Sequence, residues 1–136
     1  MRRFAAVSVL AVGVLAGTTA CMPPFLDVCP AIGYVSAVSI DTGAFGEAIL
    51  VQVCDGEECT LGPGDDPADS TTSFGAYPAD DGWAVTFSAA VPDTVTVRVY
   101  DLVGAEIAQG DYDIDWTHST ERCGGPSTAP PIVLVP

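Results

Sequence analysis

The chain contains no lysine and a single histidine, His118. Four arginines are its whole fixed positive charge against 18 acidic residues, giving a formal net charge of −14. Arg2 and Arg3 stand at the N-terminus, so Arg98 and Arg122 alone accompany all of the acids in the remainder. That balance excludes nucleic acid and anionic lipid surfaces as partners, because binding either requires a basic patch that displaces counterions. One imidazole excludes the paired-histidine zinc motifs, and neither a G-x-S-x-G elbow nor a phosphate-cradling glycine-rich loop occurs. No cofactor is expected, no catalytic residue is assigned, and the chain reads as a non-enzyme.

Long apolar runs are equally scarce. The one that stands out, residues 4–17 ("FAAVSVLAVGVLAG"), is shorter than the ~20 apolar residues of a spanning helix and contains Gly13 and Gly17. It follows Arg2 and Arg3, and no charge comes after it until Asp27. Residues 1–20 therefore read as a cleaved export signal. "MRRFAAV" lacks the residues that surround a twin-arginine motif. The run ends in "TTAC", which resembles the lipobox of bacterial lipoproteins, whose cysteine is diacylated and becomes the mature N-terminus. Ala20 and Thr19 fit that pattern, whereas Thr18 stands where an aliphatic residue is usual. Cleavage by an ordinary signal peptidase after Ala20 is the alternative, since small residues at Thr18 and Ala20 satisfy it as well.

Five cysteines, Cys21, Cys29, Cys54, Cys59 and Cys123, make an odd count for an exported chain, in which thiols are usually paired. A lipid on Cys21 leaves four, enough for two bridges, and two acyl chains give stable anchoring on the outer face of the cell membrane. Four cysteines allow three connectivities. Loop closure favours Cys54 with Cys59 around the turn signal Asp55-Gly56, worth about 2 kcal/mol, and Cys29 with Cys123 around most of the domain, worth about 4.7 kcal/mol. Zinc is the weaker reading, because C-x4-C with one distant cysteine and a lone histidine lacks paired ligand spacing.

Period-two alternation dominates the rest. "TVTVRVYD" sets Val95, Val97 and Val99 on one face, "GWAVTFSA" sets Trp83, Val85 and Phe87, and "GDYDIDW" sets Tyr112, Ile114 and Trp116 against Asp111, Asp113 and Asp115. Residues 32–40, 48–54, 105–109 and 131–135 are further strand candidates. Gly, Pro and Asp punctuate them, and "DLVGAEI" has the form of a hairpin loop in which Gly104 supplies a positive φ. The expected organisation is a signal over residues 1–20, a lipidated tether over 21–30 and an all-β domain over 31–136. Six to seven short strands predict an antiparallel immunoglobulin-like β-sandwich, although the Cys, Trp, Cys spacing of immunoglobulins is missing. Residues 62–73 read as the mobile loop.

A signal ending in a cysteine, "CPAIGY" before a first strand, "CDGEEC", the "VTVRVYDLVG" hairpin and a terminal "RCGGPSTAPPIVLVP" together resemble small secreted lipoproteins of high-GC Gram-positive bacteria. The resemblance spans nearly the whole chain. It implies membrane anchoring and a β-domain, and it brings no activity or site residue with it.

Candidate chemistry is thin. His118 lies in "DWTHSTER", where sequence neighbours do not make a triad. Calcium has three acidic clusters to choose from: Asp55, Glu57 and Glu58; Asp65, Asp66 and Asp69; Asp80 and Asp81. None is an EF-hand, since "DYDIDW" has Trp116 where that loop needs Gly, so weak calcium binding is the most they predict. Phe25, Phe45, Phe74 and Tyr77 read as tether or loop aromatics, the kind of position where partner contacts gather. The expectation is a lipid-anchored, extracytoplasmic β-sandwich serving as a binding or envelope accessory module for a protein or surface polymer. A secreted hydrolase using loop carboxylates and a cell-surface spacer are the alternatives.

Overall fold

The computed structural model describes Cys29 and residues 31–46, 50–88 and 90–136. The export signal, Cys21 and Phe25 lie outside the described residues. Eight strands follow one another: β1 (Ser36–Asp41), β2 (Leu50–Asp55), β3 (Glu58–Cys59), β4 (Phe74–Ala79), β5 (Gly82–Phe87), β6 (Thr94–Tyr100), β7 (Glu106–Asp113) and β8 (Ile132–Val133). They form two four-stranded sheets, ordered β4-β5-β1-β8 and β3-β2-β6-β7. Every pairing is antiparallel except β1 with β8, where Ile40 faces Ile132 in parallel.

The alternation read from the sequence is what joins the sheets. Val38 and Ile40 of β1, with Trp83, Val85 and Phe87 of β5, turn towards Val51 and Val53 of β2 and Val95, Val97 and Val99 of β6. All are buried, and Ile40, Val53 and Val85 have no exposed surface. Each such side chain contributes about 1.5–3 kcal/mol on leaving water, so this shared core is the main source of stability. Phe87 is its centre: its ring stacks on Phe74 at 5.5 Å and meets the edge of Trp116 at 5.9 Å. Trp116 is fixed in turn by donating from Nε1 to the Pro92 carbonyl at 2.7 Å.

Three expectations are corrected. Among the described residues the strands number eight, two of them only two residues long. Phe74 and Tyr77 belong to β4 and not to a loop, and Phe74 is buried in the core. Gly75 and Pro78 disguise this strand. Pro78 is tolerated because β4 is an edge strand, where a missing N–H interrupts no ladder on the outer side. The acidic strand ends at Asp113, although Ile114 still turns inward and its N–H donates to the Asp93 carbonyl at 2.7 Å.

The strand directions give the domain two distinct ends. The β1–β2 connection, the β4–β5 turn and the β6–β7 hairpin lie at one. At the other lie the β2–β3 turn, the β5–β6 connection, the segment after β7 and the Cys29–Cys123 bridge. No helix among the described residues is long and apolar enough to cross a membrane.

Candidate functional site

The inward valines of β2 and β6 force their alternate residues onto the outer face of the second sheet. Gln52, Arg98 and Gln109 therefore stand in one row across β2, β6 and β7. Gln52 is only 8% exposed despite facing outward, because the chain after β3 folds back over it. Thr60 is the clasp: its N–H donates to the Val53 carbonyl at 2.8 Å, and its Oγ1 accepts from the Val53 N–H at 2.9 Å. Gln52 Nε2 donates to the Thr60 carbonyl at 2.9 Å. That leaves Gln52 Oε1 to accept from the Tyr100 hydroxyl at 3.0 Å and, more distantly, from Arg98 Nη1 at 3.4 Å. Arg98 Nε is buried and has no hydrogen-bond partner.

Arg98 is half-buried on a face otherwise rich in hydroxyls and carboxylates. The carboxylates of this face and of the adjoining loops accept local hydrogen bonds. Asp111 Oδ1 accepts from Thr96 Oγ1 at 2.6 Å, Asp65 Oδ2 from the Gly62 N–H at 2.7 Å, and Asp101 Oδ1 from the N–H groups of Val103 and Ala105, both at 2.9 Å.

Beside this row, a recess of about 310 Å³ opens between the β6–β7 hairpin and the segment after β3, lined by Leu50, Pro63, Tyr100, Leu102 and Val103. Asp101 makes the hairpin rigid by holding two amides with one carboxylate oxygen, and Gly104 supplies the left-handed φ of +79° that the turn requires. Leu102 and Val103 are thereby held out at 77% and 86% exposure. A second crevice, about 200 Å³, enters between the sheets at Val51, Leu61, Phe74 and Trp83, with the hydroxyl-bearing Thr60 and Ser70 also in its wall.

The cysteines pair as loop closure favours, Cys29 with Cys123 and Cys54 with Cys59. Cys54 and Cys59 are direct register partners across the β2–β3 turn. Cys21 lies outside the described residues. His118 is joined to Ser127 and not to its neighbour Ser119: Nδ1 lies 2.9 Å from Ser127 Oγ, and the Ser127 N–H donates to Ser36 Oγ at 2.9 Å. The loop acids act locally, with Asp41 accepting from the Gly43 N–H and Asp66 from the Ala68 N–H. Asp113 on β7 accepts from Thr94 Oγ1. Among the described residues no group of three His, Cys, Asp or Glu side chains is placed to hold a metal ion.

The Gln52, Arg98 and Tyr100 cluster is absent from the sequence-based reading. Its one visible signal was Arg98, a lone cation on the polar side of an alternating strand. No protein-family model, curated protein or solved structure matches this chain.

Proposed function

We propose that the protein is a lipid-anchored, extracytoplasmic binding or envelope accessory module built on an immunoglobulin-like sandwich. The order β4-β5-β1 in one sheet and β3-β2-β6-β7 in the other supports this reading, since it parallels the D-E-B and C′-C-F-G order of that architecture, with β8 beside the counterpart of strand B. The observation that carries the proposal is the polarity of the domain. Cys29 is bridged to Cys123 at one end, so the segment leading back to Cys21 leaves from there, while the hairpin bearing Leu102 and Val103 stands at the other. A tether at one end and exposed apolar side chains on a rigid turn at the far end suit a module that presents a surface away from the membrane. The acidic excess keeps such a surface soluble and directs it away from polyanions.

The test is the intact mass of the protein recovered from membranes of the producing cell. Residues 21–136 with a diacylglyceryl group are expected, and Cys21→Ser should shift the protein into the soluble fraction. A wild-type protein found soluble and without lipid would refute the anchor.

A further inference from the structure

We infer that the free edge of β7 is a docking strand for an extended protein segment that alternates basic and apolar residues and joins the second sheet beside β7. This deepens the binding reading given above and rests on it. The first ground is how the sheet edges differ. An open edge invites pairing with other chains, and natural sheets blunt theirs with short strands, proline or lysine. Among the described residues β3 and β8 are two residues long, and β4 carries Pro78. β7 has eight residues and neither proline nor lysine. The register shift at Val99 and Tyr100 disturbs only its hairpin end, so residues 108–113 form a regular ladder with β6.

The phase of that ladder shows which backbone groups are on offer. The Ile114 N–H donates to the Asp93 carbonyl at 2.7 Å, and bonded and non-bonded pairs alternate along an antiparallel ladder. β7 is therefore bonded to β6 through Ala108, Gly110 and Tyr112, opposite Val99, Val97 and Val95. The N–H and C=O groups of Gln109, Asp111 and Asp113 point to the open side. An extended segment laid there completes the ladder by strand addition, in which main-chain bonds give affinity and alternate side chains give specificity.

Charge and polarity then choose the segment. Gln109, Asp111 and Asp113 are exposed on the outer face. Asp111 and Asp113 each accept from a threonine hydroxyl of β6 through one oxygen, and a carboxylate has two. A second copy of this chain would set like charges side by side, which destabilises a strand pair, whereas basic side chains facing Asp111 and Asp113 stabilise it. At Gln109 the register partner is Arg98, so no third basic position is called for. On the inner face, Ala108 and Tyr112 are half-buried against the core, and the Tyr112 ring lies where a Cβ on Gly110 would stand. Apolar residues at the alternate positions of the added segment extend that cover. The net charge of −14 draws such a segment in and turns acidic ones away.

The test uses the full chain, disulfides intact and held in detergent, and reads backbone amides by NMR. Without a ligand, the amides of Gln109, Asp111 and Asp113 should exchange with solvent much faster than those of Gly110 and Tyr112. Equal protection of all five would show the edge already covered, by residues 22–28 or by a second copy, and would overturn the proposal. The probe is acetyl-Thr-Val-Lys-Val-Lys-Val-Thr-amide, which should saturably shift and protect the three open amides. The same residues ordered Thr-Lys-Lys-Val-Val-Val-Thr, or glutamate in place of lysine, should bind at least about tenfold more weakly. N-methylation along one edge of the probe should abolish binding, and along its other edge should spare it. Asp111→Asn with Asp113→Asn, which keeps an acceptor for each threonine, should weaken the probe about tenfold. No saturable shift, equal binding of the reordered peptide, or indifference to both methylation patterns would overturn the docking strand. The mass of the membrane-recovered protein separates this inference from the broader reading. A lipidated chain that ignores the probe would remove the docking strand and leave the anchor, whereas a lipid-free chain that binds it would remove the anchor and leave the docking strand.

Discussion

Gly82 on β5 faces the carbonyl oxygen of Ile40 on β1 so closely that no Cβ fits between them, and it holds a φ of +125°. The β4–β5 turn closes on this contact, at the strand pair that carries Ile40, Trp83 and Val85 into the core. Gly82→Ala is therefore expected to cost about 3 kcal/mol, combining backbone strain with a backbone clash. Urea unfolding reads this directly, and a loss below about 1 kcal/mol would mean that the turn relaxes freely.

The two bridges should differ in weight. Replacing Cys29 and Cys123 by Ser opens a loop across most of the domain and is expected to lose about 4–5 kcal/mol, whereas the same change at Cys54 and Cys59 should lose about 2 kcal/mol. Denaturant midpoints of the two double variants decide the order. A larger loss from the Cys54 and Cys59 pair would show that folded-state packing at Cys54 outweighs chain entropy.

Phe87 should be the costliest single side chain to remove. It is 2% exposed and ties Phe74 to Trp116, so Phe87→Ala is expected to lose about 3–5 kcal/mol and Phe87→Leu about 1 kcal/mol. The near-ultraviolet circular dichroism of Trp116 should fall with the alanine variant. An unchanged signal with full stability would contradict the packing described.

At the hairpin, Asp101→Ala removes the acceptor for two amides and is expected to cost about 1 kcal/mol while speeding hydrogen exchange at Val103 and Ala105. Exchange at Val97, inside the β6–β7 ladder, should not change. Equal acceleration at both places would mean that the hairpin unfolds as a unit and that its tip has no rigidity of its own.

Much of this fold was legible in the sequence where side chains alternate. Val95, Val97 and Val99 marked β6, Gly104 marked its hairpin, and loop closure favoured the cysteine pairing that is found. β4 was hidden because Gly75 and Pro78 read as turn residues in isolation, and only its place at a sheet edge makes them compatible with a strand. The candidate site was hidden for another reason. Gln52 and Arg98 are far apart in the chain and meet through the register of β2 with β6, which no local pattern encodes. The same holds for His118, whose partner Ser127 is brought to it by the pairing of Thr117 with Thr128.

The parallel seat of β8 beside β1 carries a consequence for when this protein becomes itself. A chain is made from its N-terminus, so β1 exists long before Ile132 and Val133 reach its flank, and Cys29 waits as long for Cys123. Cys54 and Cys59, by contrast, are available to each other almost at once. Until the late segment emerges, the backbone groups of β1 that later bond to β8 face outward as an open template for other chains. A chain that ended before residue 132 would leave that flank of β1 uncovered.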